Sequence, residues 1–394
     1  MTKAEKTMIQ EIEKLFLNTY QRYPFLVKKA EGAFIYSKNR KYLDMITGIG
    51  VMSLGHSDKD VKKEILKQLK LHLHLSNLFW QKSQIEFAKE FLSTLKGKYK
   101  IFLSNSGAEA VETAIKIAKL PFDEKRRKFL AFYGSFHGRT HGALSLTWKE
   151  DFRKPFEPLI PGVKFIPYGD IETAYNELKK LEFAGVIVEP IQGEAGVITP
   201  PEGFLKNLKS ACEETGTLLI LDEIQTGAGK TGKFWCFEWE NIEPDILVSS
   251  KAIGGGLPLG VTAVSDKIAE LIKPGMHAST FGGNPLSCSA GKITIRKIKK
   301  MLKNVLKKGE ILKKEIEGIG FEVSGKGLML GIIVGKISKE PREINEFFLN
   351  EGIIINTIRT PTEEIRIRIL PPFIISEREI SMFVDVLKKF KKLI

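Results

Sequence analysis

Asp222 closes the apolar run Leu218-Leu219-Ile220-Leu221, and Lys251 follows Ser249-Ser250 just ahead of a Gly254-Gly255-Gly256 turn. A carboxylate at the end of a buried run and a lysine flanked by small residues suit one chemistry in particular. The lysine can hold a carbonyl cofactor as a Schiff base, and the aspartate can keep the cofactor's ring nitrogen protonated. Burial would lower the lysine's pKa and let it act first as nucleophile and later as base. Each residue also has a plainer reading. Asp222 could pair with a lysine or arginine, and Lys251 could be a solvated surface tip.

Ser104-Asn105-Ser106-Gly107-Ala108 closes one predicted strand and opens a helix whose apolar stripe is Val111, Ala114, Ile115 and Ala118. Free N–H groups and the positive end of the helix dipole make such a turn a phosphate site, with Ser106 adding a hydroxyl. Plain capping by serine or asparagine is the alternative.

Other chemistries fit less well. Gly227-Ala228-Gly229-Lys230-Thr231 resembles the end of an ATPase phosphate loop, but Ile224 stands where the loop needs glycine. Its carboxylate strand also comes first and too close. His72 and His74 have no carboxylate or cysteine at ligand spacing, so no metal is expected. His137 and His141 have no triad spacing with a serine and an acid.

The elements that must position these residues are legible from periodicity. Residues 1 to about 20 carry Ile9, Ile12, Leu15 and Phe16 at helical spacing. Ala33–Tyr36 and Lys41–Asp44 read as a hairpin around Lys38-Asn39-Arg40. The spacing predicts helices over 60–73, 108–119 and 204–215, and strands at 101–103, 129–132, 184–188, 218–221, 246–248 and 259–264. Short apolar runs separated by helices imply a mostly parallel sheet covered on both faces, with ligands beyond the carboxyl ends of its strands. Ser104–Ser106, Glu189-Pro190, Asp222 and Lys251 all fall just past such ends, hence on one rim. From about Gly291 the texture changes to a long Lys-rich helix, three apolar strands and a final helix, read as a smaller C-terminal α/β domain. The expected division is an N-terminal segment 1–50 belonging to the small domain, a large domain 51–290 and a small domain 291–394.

Bulk properties set limits. The 394 residues are 43% hydrophobic and 27% charged, an ordinary globular balance with room for a large core. The net charge of +14 admits an anionic partner, and a non-catalytic nucleic-acid-binding protein stays open as a distant alternative. No nucleic-acid motif accompanies the charge, and the lysines are interleaved with glutamate, as on a solvated surface. The 3 scattered cysteines point to a reducing compartment rather than a disulfide framework. Met1–Lys6 has no apolar core of a signal peptide, and no run of about 18 apolar residues offers a membrane span.

The ordered motifs resemble those of a known family. They are Gly48-Ile49-Gly50-Val51, Leu54-Gly55-His56, Ser76-Asn77-Leu78-Phe79, Asn105–Ala110, Phe136-His137-Gly138-Arg139-Thr140, Val188–Glu194, Asp222–Gly227, Lys251-Ala252 and Ser279–Pro285. In this order they resemble the class III, fold type I, pyridoxal-phosphate aminotransferases, and within them the acetylornithine branch. The resemblance runs from about Tyr23 to the C-terminus.

It implies a homodimer with shared active sites, binding pyridoxal 5'-phosphate and acting in the cytoplasm, with no nucleic acid or membrane as partner. Lys251 would hold the cofactor, and Asp222 would pair with its ring nitrogen. Gln225 would bond the phenolic oxygen, Phe136 would stack on the ring, and His137 would belong to the same cofactor site. Ser106, Gly107 and Ala108 would hold the phosphate, and Thr280 would reach the phosphate of the neighbouring subunit. Arg139 and Arg368 would bind substrate carboxylates, with Glu194 covering Arg368 while an ω-amino donor is bound. Ile49 and Ser279 would line the substrate pocket. The implied reaction moves the ω-amine of N2-acetylornithine to 2-oxoglutarate. Ile49 stands where related ornithine enzymes carry a tyrosine, and suits an acylated donor. N-succinyl-diaminopimelate, carrier-linked lysine, ornithine and 4-aminobutyrate remain alternative donors. Two departures from the family pattern, Val111 and Lys230, are expected to be peripheral.

Overall fold

In this computed structural model the structure describes residues 8–9, 11–38, 40–360 and 362–394. Met1–Lys6 and Asn39, which entered the sequence reading, lie outside them. The centre is a seven-stranded sheet in the order Tyr99–Ser104, Gly260–Ser265, Ile246–Ser249, Leu218–Asp222, Phe183–Val188, Lys128–Phe132 and Val163–Ile166. Five neighbouring strands are parallel, and Gly260–Ser265 runs antiparallel to both its neighbours. Phe183–Val188 is buried along its whole length, which is why its sequence shows no alternation.

Helices cover both faces. Gly107–Ala118 and Phe204–Thr215 form where predicted, within a residue. Gly216, in the left-handed conformation, ends the second. The lysine-rich helix runs Pro285–Gly318, 34 residues and about 50 Å at the usual rise per residue. It begins earlier than expected because Asn284 caps it, accepting a hydrogen bond from the Leu286 N–H at 2.9 Å, with Pro285 in the first turn. A four-stranded antiparallel sheet follows, in the order Glu322–Lys326, Met329–Gly335, Ile365–Ile369 and Asn356–Arg359. Arg368 lies in its third strand, paired with Gly331 and Asn356.

The N-terminal hairpin forms as read, with Phe34 opposite Leu43, and gains a third strand, Lys29–Glu31. Ile353–Ile354 adds to it in parallel, which ties the start of the chain to its C-terminal third. Two expectations need correction. Met8, Ile9 and Glu11–Glu13 are helical but Lys14–Tyr20 is not, and Leu15 and Phe16 are exposed rather than packed along a helical stripe. The helix expected over 60–73 spans Lys59–Leu69, and Leu66 and Leu69 face solvent, because the buried stripe is narrower than the apolar pattern. The edge strand Val163–Ile166 and the helix Lys82–Leu92, which buries Phe87 and Phe91, add to the elements expected from the sequence. Among the described residues no helix is long and apolar enough to cross a membrane.

Candidate active site

The strands ending at Ser104, Val188, Asp222 and Ser249 point the same way, because Gly260–Ser265 runs antiparallel between the first and the last. Their carboxyl ends form the single rim expected from the sequence. Asp222 is only 3% exposed. Its Oδ2 lies 2.7 Å from His137 Nδ1, and its Oδ1 accepts the Ile224 N–H at 3.1 Å. Its partner within the chain is therefore a histidine, not the lysine or arginine considered above. The His137 N–H in turn donates to Thr147 Oγ1 at 3.0 Å, and its buried Nε2 has no partner among the described residues.

Lys251 sits two residues past its strand at φ +47°, a left-handed conformation that a non-glycine residue adopts only under constraint from its surroundings. Desolvation pulls its amine below the ordinary lysine value. Arg368 acts in the same direction, while Glu194, Asp222 and Glu189 oppose it. Glu189 receives the Phe136 N–H at 3.1 Å, and burial together with Asp222 pushes its carboxyl well above the usual range. One lysine thus feels the charges of three carboxyl groups and one guanidinium.

Ser106 is the N-cap of Gly107–Ala118, and its Oγ accepts the Glu109 N–H at 3.2 Å. The capping alternative is thus realised. The Glu109 carboxylate folds back onto the Asn105 N–H at 2.8 Å and reaches Ser106 Oγ at 3.3 Å. The N–H groups of Gly107 and Ala108 still have no acceptor within the helix. Two missing side chains bring this helix start against the rest of the rim. A Cβ on Gly107 would come within 2.7 Å of Ile224 Cδ1, and one on Gly138 within 2.9 Å of the Ala108 Cβ. The bare turn therefore touches both the loop after Asp222 and the loop after His137. Free N–H groups, a buried carboxylate and a desolvated amine on one rim fit a phosphorylated aromatic cofactor with a basic ring nitrogen and a carbonyl.

A second cluster lies beside Lys251. Arg368 is 1% exposed. Its Nη1 donates to Glu194 Oε1 at 2.6 Å and Gln225 Oε1 at 3.2 Å, its Nη2 donates to Asn356 Oδ1 at 2.7 Å, and its Nε is unpartnered among the described residues. Burial tends to raise the Glu194 carboxyl, but Arg368 and Lys251 outweigh it and hold the group below its ordinary value. Gln225 turns toward this pair, and Gly193 leaves the space, since a Cβ there would collide with the Gln225 amide. Arg139 is exposed and stacks on Phe152, with its guanidinium 3.6 Å from the ring centroid and 5.6 Å from that of Phe136.

The fold brings together Lys251, Asp222, His137, Phe136, Gln225, Glu194 and Arg368, with Ser106–Ala108 at one end. Ser279 instead lies against Asn105, its Oγ 3.4 Å from Nδ2, and Thr280 is exposed and makes no hydrogen bond among the described residues. Ile49 is 40% exposed in a left-handed turn. Lys230 and Val111 both lie in the interior, each 0% exposed. Lys230 Nζ has no hydrogen-bond partner among the described residues and lies 4.8 Å from the Phe373 ring centroid. A lysine enclosed in this way cannot meet a nucleotide phosphate, which removes the ATPase reading. Asn356 escaped the sequence reading. Its only signal is a polar residue directly after the run Gly352-Ile353-Ile354-Ile355.

This rim and its paired cluster define an enzyme that handles amines and carboxylates. Residues 16–390 match the class-III aminotransferase family, and the chain belongs to that family. It is similar to the acetylornithine aminotransferase of Archaeoglobus fulgidus, 40% identical over 382 residues that span 96% of this chain and 99% of that protein. Among solved structures, the acetylornithine aminotransferase of Elizabethkingia anophelis superposes with a TM-score of 0.86 at 31% identity, covering 100% of both chains. The ornithine aminotransferase of Toxoplasma gondii, with pyridoxal phosphate partly occupying its active site, gives 0.91 at 27% identity, covering 99% of this chain and 94% of that one.

Proposed function

We propose that this aminotransferase moves the ω-amino group of N2-acetylornithine to 2-oxoglutarate, giving N-acetylglutamate 5-semialdehyde and glutamate. Its cofactor is pyridoxal 5'-phosphate, its working form a homodimer with shared active sites, and its setting arginine biosynthesis in the cytoplasm. The observation that carries this reading is a buried Arg368 with Glu194 on one terminal nitrogen and Asn356 on the other.

The two half-reactions make opposite demands on one pocket. Glutamate brings a carboxylate beside its reacting amine; an ω-amino donor brings none there. Leaving a buried guanidinium unpaired is costly. Glu194 supplies the counter-ion while the donor reacts and swings aside for glutamate, and Asn356 keeps the guanidinium oriented throughout. Arg139, held flat by Phe152, binds the carboxylate at the far end of either substrate. Ile49 gives an apolar wall for the acylated α-amine.

When bound, the cofactor supplies an aldehyde that condenses with amines and a cationic ring that draws off negative charge. Asp222, backed by His137 at 2.7 Å, would hold the proton on the ring nitrogen. Lys251 would hold the aldehyde and, with its amine free, would take up at Nζ the proton lost from the carbon bearing the substrate's amine. The N–H groups of Gly107 and Ala108, with the Ser106 hydroxyl, would hold the phosphate. Gln225, which accepts from Arg368 at 3.2 Å, would hold the phenolic oxygen. The homodimer reading is supported by a run of uncovered apolar groups, with Leu78 91% and Trp80 95% exposed beside Phe79 and Phe281. Thr280, in the same region, would reach across to the partner's phosphate.

Borohydride trapping followed by peptide mapping tests the cofactor assignment: label is expected at Lys251 alone, and label elsewhere or none refutes it. Bleaching of the cofactor's visible absorbance by a panel of ω-amines tests the donor. N2-acetylornithine should act at lower concentration than ornithine, 4-aminobutyrate or N-succinyl-diaminopimelate.

A further inference from the structure

Four consecutive residues, Thr47, Gly48, Ile49 and Gly50, have φ of 46°, 65°, 58° and 82°. Two of them are β-branched, the type least suited to the left-handed region. Such a turn persists only where its surroundings over-determine it.

The surroundings centre on Asp44, which is 1% exposed. Its Oδ1 accepts the N–H groups of Ile46 at 3.0 Å and Thr47 at 2.8 Å, and its Oδ2 lies 2.8 Å from His56 Nε2. The His56 backbone is itself fixed, donating to Gly32 O at 2.7 Å. On the far side, Thr47 Oγ1 donates to Leu370 O at 2.7 Å, and the Leu370 N–H donates to Met45 O. Neither Asp44 nor His56 touches the Lys251 cluster, and catalysis as described above uses neither. Their carboxylate and imidazole instead grip the start of the turn that carries Ile49.

We propose that Asp44, backed by His56, is a positioning residue for donor selection: it locks Thr47–Gly50 in its left-handed turn and so fixes Ile49 as a wall of the donor pocket. The proposal rests on the aminotransferase reading and on Ile49 facing the donor. Arg368 has its own three hydrogen bonds, so the glutamate half-reaction depends far less on this turn.

The test is a pair of half-reactions on the holoenzyme, following the cofactor's spectrum against N2-acetylornithine and, separately, against glutamate. Asp44→Ala should raise the N2-acetylornithine concentration at half-maximal rate about tenfold or more, as misplaced side chains remote from the chemistry do, with the value for glutamate within about threefold of the parent. Asp44→Asn keeps a carbonyl oxygen for both N–H groups and should stay within about threefold for both substrates. Equal losses for donor and glutamate, or an unchanged donor response in Asp44→Ala, overturn the proposal. If Asp44→Ala does not fold, Thr47→Val, which deletes only the hydroxyl on Leu370, must reproduce the donor-selective loss; equal losses there overturn it too. A parent that reacts with glutamate but not N2-acetylornithine refutes the donor assignment alone. The same split is then read with whichever ω-amine the parent accepts.

Discussion

Glu194 and Arg368 are 174 positions apart in the chain and meet at 2.6 Å, carboxylate oxygen to guanidinium nitrogen. The two sit differently in solvent: the Arg368 side chain is 1% exposed, that of Glu194 32%. The arginine is the fixed member and the glutamate the one with room to leave. Asn356 reinforces this asymmetry by holding the other terminal nitrogen.

Replacing Glu194 by alanine leaves Arg368 without its counter-ion during the donor half-reaction. The vacant guanidinium should then capture the donor's own α-carboxylate. α-Transamination of ornithine-type donors should rise relative to ω by about tenfold or more, the worth of one charge-assisted hydrogen bond. Product ratios measured by chromatography check this; equal ratios in mutant and parent would count against an exchange of partners.

Arg139→Ala should impair both half-reactions, because one guanidinium serves the far carboxylate of both substrates. A loss of about 2–3 kcal/mol in kcat/KM for each is expected for a charged hydrogen-bonding partner. Arg139→Lys should recover only part of it, since an ammonium has neither the planar fork nor the same fit on Phe152. Unchanged kinetics with glutamate would remove Arg139 from the site.

Asp222→Ala should lower kcat by about three orders of magnitude, the scale seen when a group stabilising developing charge is lost. His137→Ala should cost less activity. It should also lower the melting temperature, by about 1–3 kcal/mol in stability, because a buried carboxylate loses a partner at 2.7 Å. Losses that add in the double variant would mean that His137 acts independently rather than through Asp222.

Lys230 gives a stability prediction with a definite sign. Burial, aided by Lys251, depresses its amine from 10.5 to about 7 in the folded cofactor-free protein. The unfolded chain therefore binds the proton more tightly across that window, and stability rises with pH between the two values. The slope is at most about 1.4 kcal/mol per pH unit, and below the folded value the penalty is constant. Lys230→Met should flatten this slope in urea titrations and stabilise the protein near pH 6 by about 1–4 kcal/mol, as replacing a buried charge by an apolar group of similar size can. A parent with no such slope would show that the amine keeps its charge in the fold.

The sequence by itself carried the rim. Buried parallel strands leave unbroken apolar runs, and the polar residue that ends each run is visible in the sequence, which is how Ser104, Glu189, Asp222 and Lys251 could be grouped without coordinates. Helices with wide apolar stripes, such as Phe204–Thr215, were equally legible, because periodicity is a local property. Partnership is not local, and only the tertiary structure decided it. His137 as the neighbour of Asp222, Asn356 as the holder of Arg368, and the left-handed turn gripped by Asp44 and His56 each depend on packing between distant segments. Lys230 is the clearest case: one more lysine in a lysine-rich chain, it has its amine sealed beside Phe373. Its Gly-Ala-Gly setting marks a turn but not burial, because burial is set by what the rest of the chain stacks over it.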